Sequence, residues 1–234
     1  MMSVSSPRYA LYYAPEAQSG LWSFGSSVVG YDAISGTDIG VPDFAGPLAS
    51  NWRELTSEPR KYGFHATLKA PFYLAQSVDE DALQAALNKF ASATKSAAIH
   101  GLSVASIGPF IALRPVGDSA ALSVLAGEVV RYFEPFRAPL TSADREKRLK
   151  SPLTERQTDY LDRFGYPYVH EEFRFHMTLS GPLHSDDRDV MLDILTQACR
   201  GAVSHMPSAI NRIALFRQDD TSSRFRIISS VELA

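Results

Sequence analysis

The sequence predicts an α+β protein built from two similar halves. A nine-residue motif occurs twice, at residues 64–72 and 175–183. Each copy is followed by a helix-like segment and then by two strand-like segments. The chain has 234 residues, of which 45% are hydrophobic and 21% charged, so it is long enough to bury a core. We therefore expect a bilobal, duplicated fold with two antiparallel-rich sheets facing a central cleft and helices on the outer faces.

The N-terminal part predicts one strand and one helix. Residues 9–13 form a short aromatic and apolar run that ends before Pro15, which is typical of a strand. Residues 21–31 follow a helical pattern that two glycines weaken. Residues 32–50 are rich in Gly, Pro, Ser and Asp, and this composition predicts a loop.

The first motif begins a strand–helix–strand–strand series. Residues 64–73 predict a strand that bends or ends near Pro71. Ser77 is the expected N-cap of the next helix, because acidic residues follow it in the first turn. Residues 102–107 and 110–116 predict two strands, and the apolar spacing after them predicts an amphipathic helix over 120–133.

The second motif begins a similar series. Before it, Ser151 and Pro152 predict the start of a helix that ends near Phe164. The motif itself predicts a strand over residues 172–183. Ser185 is then expected to cap a helix. The closing segments, 212–218 and 225–233, predict two strands.

These elements predict one bilobal domain over residues 1–234. The lobe with the first motif is expected at about 51–135 and the lobe with the second at about 169–234. The N-terminal strand and helix, residues 8–31, would pack into this bilobal fold. The basic segment 137–168 is expected to connect the lobes as an insertion that could close like a lid.

Composition excludes several function classes. There are 23 Lys and Arg against 26 Asp and Glu, which gives a net charge of −3 and disfavours general binding to duplex nucleic acid. The single Cys199 excludes an intrachain disulfide and fits a reducing compartment. The N-terminus does not resemble a signal peptide, and no apolar run is long enough to span a membrane. We expect a cytoplasmic protein without a membrane partner, and no feature of the sequence indicates a particular oligomeric state.

The repeated motif reads F-H-x-T-L-x-x-P in both copies, and its histidines lie 111 residues apart. Only two of the six histidines are followed by threonine two residues later, and both lie in this motif. Side chains alternate between the faces of a strand. One polar face of each motif strand therefore carries a histidine and a threonine: His65 with Thr67, and His176 with Thr178. If the two faces meet, all four side chains line one cleft.

This residue set suits phosphodiester chemistry. The unperturbed pKa of histidine lies near neutrality, so one imidazole can accept a proton from water while the other donates one to a leaving alkoxide. Threonine hydroxyls can donate hydrogen bonds to non-bridging phosphoryl oxygens, where charge develops in the transition state. This chemistry requires no metal, and the sequence contains no motif for a nucleotide cofactor.

Two H-x-T-L motifs on duplicated lobes resemble the two-histidine (2H) phosphoesterase superfamily, whose members share a bilobal α+β fold. These enzymes process cyclic phosphodiesters or 2′–5′ linkages without metal. The resemblance implies that His65 and His176 are the acid–base pair and that Thr67 and Thr178 contact the phosphate. The motif contexts and the central basic segment are most similar to the bacterial branch associated with phosphonate (carbon–phosphorus lyase) gene clusters. This branch implies a small cyclic sugar phosphate as substrate.

Further residues are candidates for substrate binding. Lys69 and Ser180 follow the threonines on the same predicted strand faces, but a lysine near a strand end is commonly just solvated. Tyr62 and Tyr168 precede the two motifs and could stack on a sugar or base, although such tyrosines more often pack at strand ends. The histidines and glutamates at 170–184 lack the tight spacing of zinc ligands, so we expect neither a metal nor another cofactor.

We therefore expect a phosphoric diester hydrolase with a small phosphate-ester substrate. An enzyme of RNA ends, acting as a 2′,3′-cyclic phosphodiesterase or resembling a 2′–5′ RNA ligase, is the less favoured alternative within enzymes. A binding module that senses a nucleotide or sugar phosphate without turnover is the alternative of another class.

Overall fold

A computed structural model describes residues 6–234 of the chain. Residues 1–5, on which the expected absence of a signal peptide partly depends, lie outside the described residues. The strands are β1 (Arg8–Tyr13), β2 (Tyr31–Asp32), β3 (Thr37–Asp38), β4 (Ala66–Tyr73), β5 (Ala97–Ala98), β6 (Leu102–Ile107), β7 (Phe110–Pro115), β8 (Met177–Thr178), β9 (Ala209–Ile210), β10 (Arg212–Gln218) and β11 (Arg226–Glu232). The α-helices are α1 (Gly20–Val29), α2 (Trp52–Leu55), α3 (Ser57–Arg60), α4 (Glu80–Ala93), α5 (Ala120–Tyr132), α6 (Ser142–Leu149), α7 (Glu155–Phe164) and α8 (Ser185–Ala202). Short 3₁₀ helices span Asp43–Leu48, Glu134–Phe136 and His170–Glu172.

Seven strands form one antiparallel sheet in the order β11-β10-β1-β4-β8-β7-β6. The predicted α+β class is confirmed. The expectation of two separate sheets is wrong, because β4 and β8 pair through Ala66 and Met177 and join the two halves. Each motif strand has a partner on one side only within its own half. Pairing the two open edges satisfies backbone groups that would otherwise lack partners.

The two halves of the sheet are not contiguous along the chain. The strands that follow the first motif, β6 and β7, extend the sheet from β8. The strands that follow the second motif, β10 and β11, extend the sheet from β1 on the other side of β4. The structure therefore differs from the expected lobes at 51–135 and 169–234, because each of these stretches contributes strands to both halves. This interleaving makes each half of the sheet dependent on both parts of the chain.

The helices cover the sheet in two groups. Helix α4 packs against β10 and β11, and α5 packs against β4. Helix α8 packs against β6 and β7, and α1 packs on α8. The apolar faces of these helices and the sheet enclose a continuous core that includes Tyr12, Phe64 and Met177. The motif strands therefore lie at the centre of the molecule, where their backbone is firmly positioned.

Local capping explains two of the differences in element bounds. Helix α4 is capped by Asp79 and not by Ser77, since the Asp79 carboxylate accepts a hydrogen bond from the amide of Ala82. Helix α7 begins after Thr154 and not at Ser151, because Thr154 forms a reciprocal capping box with Gln157. The strand expected over residues 172–183 is reduced to the two residues of β8, and helix α6 was not predicted.

Two register shifts interrupt the alternation of β4 against β1. Tyr12 pairs with Thr67 but Leu11 pairs with Lys69, so Leu68 is skipped and the following side chains change faces. A second shift, between Tyr9 and Leu11, includes Pro71, which cannot donate to the ladder. The strand therefore continues through the proline to Tyr73. The first shift explains why His65 and Lys69 do not share a face.

Gly25 in α1 allows the helix to approach the residue before His65. A Cβ atom at Gly25 would lie 2.1 Å from a ring carbon of the fully buried Phe64. We expect Gly25→Ala to lower the free energy of unfolding by about 3 kcal/mol, because this rigid ring has to shift. Urea denaturation measures the change. Ser23→Ala at an exposed position of the same helix is the control and should stay within about 0.5 kcal/mol of wild type. Equal stability of the two variants would contradict the close contact.

Candidate active site

The two motif strands place their polar side chains in a crossed arrangement. In the antiparallel pair, Ala66 lies opposite Met177, and both side chains are buried. One residue further along the register on either side, His65 lies across from Thr178 and Thr67 lies across from His176. Such cross-strand neighbours have Cβ atoms about 5 Å apart. The four polar side chains therefore form a compact group at the junction of the two sheet halves.

Both imidazoles are oriented by the same backbone contact. The Nδ1 of His65 donates to the carbonyl oxygen of Gly63 at 2.8 Å, and the Nδ1 of His176 donates to that of Arg174 at 2.7 Å. A carbonyl oxygen only accepts hydrogen bonds, so Nδ1 carries the hydrogen in each ring. Each Nε2 is thus left for chemistry in the cleft. The Thr67 hydroxyl lies 3.4 Å from the Nε2 of His65.

The surroundings of the two histidines differ. The ring of Tyr12 stacks on the ring of His65 at a centroid distance of 3.8 Å, and the rings of Phe216 and Tyr62 lie 5.9 and 6.0 Å away. Burial lowers the pKa of His65 from 6.5 to about 4; the hydrogen bond to Gly63 opposes this shift, and a charge on His176 adds to it. His65 is therefore neutral at pH 7.

Adjoining cavities open onto these side chains. A cavity of about 240 Å³ is lined by His65, Thr67 and Thr178. A second cavity, of about 420 Å³, is lined by Thr67 and His176. The two share Thr67 and also Tyr166 in their walls. Together they offer the volume of a small organic ligand across the histidine pair.

Aromatic side chains form much of the cavity walls. Tyr62, a candidate from the sequence, lines the cavity beside His65, and the second candidate, Tyr168, lines the one beside His176. Tyr12, Tyr166 and Phe110 line the same cavities and were not predicted. Tyr166 could have been predicted from the sequence as a cavity residue, because it lies two residues before Tyr168. Tyr12 could not have been predicted, since only the pairing of β1 with β4 brings its ring to His65.

The structure does not bring Lys69 and Ser180 into the cavities that the described residues line. The ammonium group of Lys69 is buried against α5 and donates to Glu134 at 2.8 Å and to the carbonyl oxygen of Val130 at 3.3 Å. The hydroxyl of Ser180 is also buried, where it accepts from the amide of Ile111 and donates to the carbonyl oxygen of Gly181. Both contacts hold neighbouring elements together.

The Lys69–Glu134 pair predicts an asymmetric response to mutation. Glu134 also pairs with Arg137 at 2.6 Å, so Lys69→Met leaves the carboxylate with a partner and should change stability little. Glu134→Ala leaves a buried ammonium unpaired and should cost about 3 kcal/mol in denaturant unfolding. If Lys69 bound substrate instead, Lys69→Met would lower activity at unchanged stability.

Within residues 6–234, no helix is long and apolar enough to cross a membrane. In the same part of the chain, no group of three or more His, Cys, Asp and Glu side chains is arranged to hold a metal ion.

A family model described as "Protein of unknown function (DUF1045)" matches residues 67–226. The chain belongs to this family. The DUF1045 match begins at Thr67 and includes the whole second motif. A crystal structure of a conserved protein of unknown function from Agrobacterium tumefaciens aligns with a TM-score of 0.45 at 15% identity, over 97% of this chain and 90% of that one.

Two longer proteins are similar over nearly this whole DUF1045 chain. One, from Janthinobacterium sp. (strain Marseille), is 36% identical over 226 residues, which are 95% of this chain and 50% of that protein. The other, from Laribacter hongkongensis (strain HLHK9), is 32% identical over 232 residues, or 97% and 52%. Both are named "Ribose 1,5-bisphosphate phosphokinase PhnN". The chain spans about half the length of these curated relatives.

Proposed function

We propose that this protein is a metal-independent phosphodiesterase that hydrolyses a small cyclic phosphodiester of a sugar. The observation that carries the proposal is the Ala66–Met177 pair, whose register brings His65 next to Thr178 and Thr67 next to His176. This arrangement supports the proposal because a phosphate bound between the histidines would have a proton acceptor on one side and a proton donor on the other, with a hydroxyl donor beside each.

The different surroundings of the two histidines support different roles. His65, with its lowered pKa, is neutral at pH 7 and acts as the general base. Its Nε2 takes a proton from a water molecule, whose oxygen forms the new bond to phosphorus. As the bond from phosphorus to the leaving oxygen breaks, the protonated Nε2 of His176 donates its proton to that oxygen. Each proton transfer is worth about 10²–10⁴ in rate.

The threonine hydroxyls stabilise charge on the phosphoryl oxygens. We expect Thr67→Val to lower kcat about 100-fold with a smaller change in KM, because the lost hydrogen bond strengthens in the transition state. Thr67→Ser keeps the hydroxyl and should stay within about ten-fold of wild type. Steady-state kinetics compare the two variants. Equal losses would show that the methyl group matters and not the hydroxyl.

Two observations support a sugar phosphate as the substrate. The relatives are named for a ribose bisphosphate, and the motif contexts resemble a branch associated with phosphonate gene clusters. Phosphonate metabolism is therefore the proposed setting. We do not carry over the phosphokinase activity, because it is named for proteins of twice this length and this sequence has no G-x-x-x-x-G-K-[ST] motif.

Phosphorus NMR of the purified protein in excess EDTA tests the proposal. The panel contains 2′,3′-cyclic nucleotides, ribose 1,2-cyclic phosphate and a short RNA with a 2′,3′-cyclic end. We expect conversion of the ribose compound to a monoester and no conversion by the variant with both histidines replaced by alanine. Conversion that requires added metal would contradict the mechanism.

The same panel separates the alternatives. Preferred conversion of the RNA end would replace the sugar-phosphate assignment with RNA-end processing. Binding of a panel member without conversion would support the sensing module and overturn the enzymatic proposal. Isothermal titration calorimetry on the same samples measures this binding.

A further inference from the structure

Two arginines lie at the junction of the cavity beside His65 with a neighbouring cavity of about 390 Å³. Arg8 comes from β1 and Arg148 from α6, and both side chains line both cavities. Among residues 6–234, neither guanidinium has a salt-bridge partner. Their positive charges are therefore not neutralised by a side chain of the described protein.

Both guanidinium groups are nevertheless held in place. The Nε of Arg8 donates to the Oε1 of Gln218 at 2.8 Å, and the amide nitrogen of the buried Gln218 donates to the carbonyl oxygen of Ser223 at 2.7 Å. The Cζ of Arg148 lies 5.0 Å from the ring centre of Tyr166. These neutral partners fix the orientation of each guanidinium group without compensating its positive charge. A cation that is held in place and not compensated is suited to binding phosphate.

The other charged side chains that line these two cavities do not neutralise the positive charge of Arg8 and Arg148. Glu58 lines the cavity beside His65 but is paired with Lys61 at 2.9 Å. In the neighbouring cavity, Arg137 already has an ion-pair partner in Glu134, which Lys69 also contacts. Asp144 and Lys147 line that cavity as well and carry opposite charges. The net excess at the junction is thus the charge of the two arginines.

The cavity on the His176 side also contains arginines, Arg114 and Arg174. Both of these side chains are exposed. Charges that face solvent contribute little to binding, because water screens them. The partly buried junction of Arg8 and Arg148 is therefore the stronger anion site.

We propose that Arg8 and Arg148 form a subsite for a second, non-reacting phosphate of the substrate. The inference rests on the proposed function, in which the phosphodiester lies between His65 and His176. The substrate class is then a cyclic sugar phosphodiester that also carries a phosphate monoester. Because Arg148 belongs to segment 137–168, this segment takes part in selecting the substrate.

The test compares ribose 1,2-cyclic phosphate with the same compound carrying a 5-phosphate. Charge-assisted hydrogen bonds to two arginines should raise kcat/KM of the wild-type protein about 100-fold for the 5-phosphorylated compound. Arg148→Gln should remove about ten-fold of this preference, measured as the ratio of the two kcat/KM values. Lys150→Gln removes an exposed charge after the same helix and should leave the ratio unchanged.

A binding experiment keeps the two proposals separable. Ribose 5-phosphate, which has no diester to hydrolyse, is titrated calorimetrically into wild type, Arg148→Gln and Lys150→Gln. Hydrolysis without preference for the phosphorylated compound overturns the subsite and leaves the proposed function standing. Binding of ribose 5-phosphate that weakens only in Arg148→Gln, without hydrolysis of either compound, supports the subsite and overturns the phosphodiesterase. Absence of both binding and hydrolysis overturns both proposals.

Discussion

His65→Ala and His176→Ala should each lower kcat/KM for the cyclic phosphodiester by about 10³-fold, because each removes one proton transfer from the same step. The double variant should be little worse than either single variant, since the two histidines act as a unit. Initial rates from phosphorus NMR give all three values.

The exposed His205 provides the matched control for these substitutions. His205→Ala should keep the wild-type rate, because this exposed side chain contacts Ser204 and lines neither cavity beside the two motif histidines. Circular dichroism of each variant verifies the fold. A single variant that retains more than about one tenth of the wild-type rate would contradict the paired roles.

The kcat/KM of the wild-type protein should fall on acidification only as the pH approaches about 4, the lowered pKa of His65. A general base works when neutral, so activity is present above this pKa and is lost below it. An unperturbed histidine would place this acidic limb near its ordinary value of 6.5.

Proton NMR of the His65 imidazole measures its pKa without relying on turnover. His176→Gln should raise the pKa of His65, because the charge on His176 helps to depress it. Circular dichroism at each pH separates titration from acid unfolding. A midpoint near 6.5 in the folded protein would reject His65 as the buried base.

The sequence was informative where local chemistry dominates. Strand periodicity placed His65 with Thr67 and His176 with Thr178, and the repeated frame indicated that the two pairs belong together. The end of α7 near Phe164 was also predicted, since the following Gly165 adopts positive φ without a steric cost. The helical pattern over residues 21–31 did not give the end of α1, which lies at Val29 before the left-handed Gly30.

Periodicity misled where the ladder is irregular. Lys69 was placed with His65 by alternation, but the register shift at Leu68 turns it toward α5 and Glu134. A bulge depends on how two strands twist against each other, and a single strand does not encode it in its own pattern.

The sequence by itself determined the duplicated α+β character, the two histidine–threonine pairs and the acidic balance of charge. Only the tertiary structure decided that the motif strands join one sheet, that Tyr12 stacks on His65 and that Arg8 and Arg148 line the same two cavities. These features arise from contacts between residues far apart in the chain, and such contacts depend on which strand edges pair when the whole core is buried. The lowered pKa of His65 depends on such contacts as well, because residues distant in the sequence bury its imidazole. The two copies of the motif have nearly the same sequence and do not encode this difference in environment.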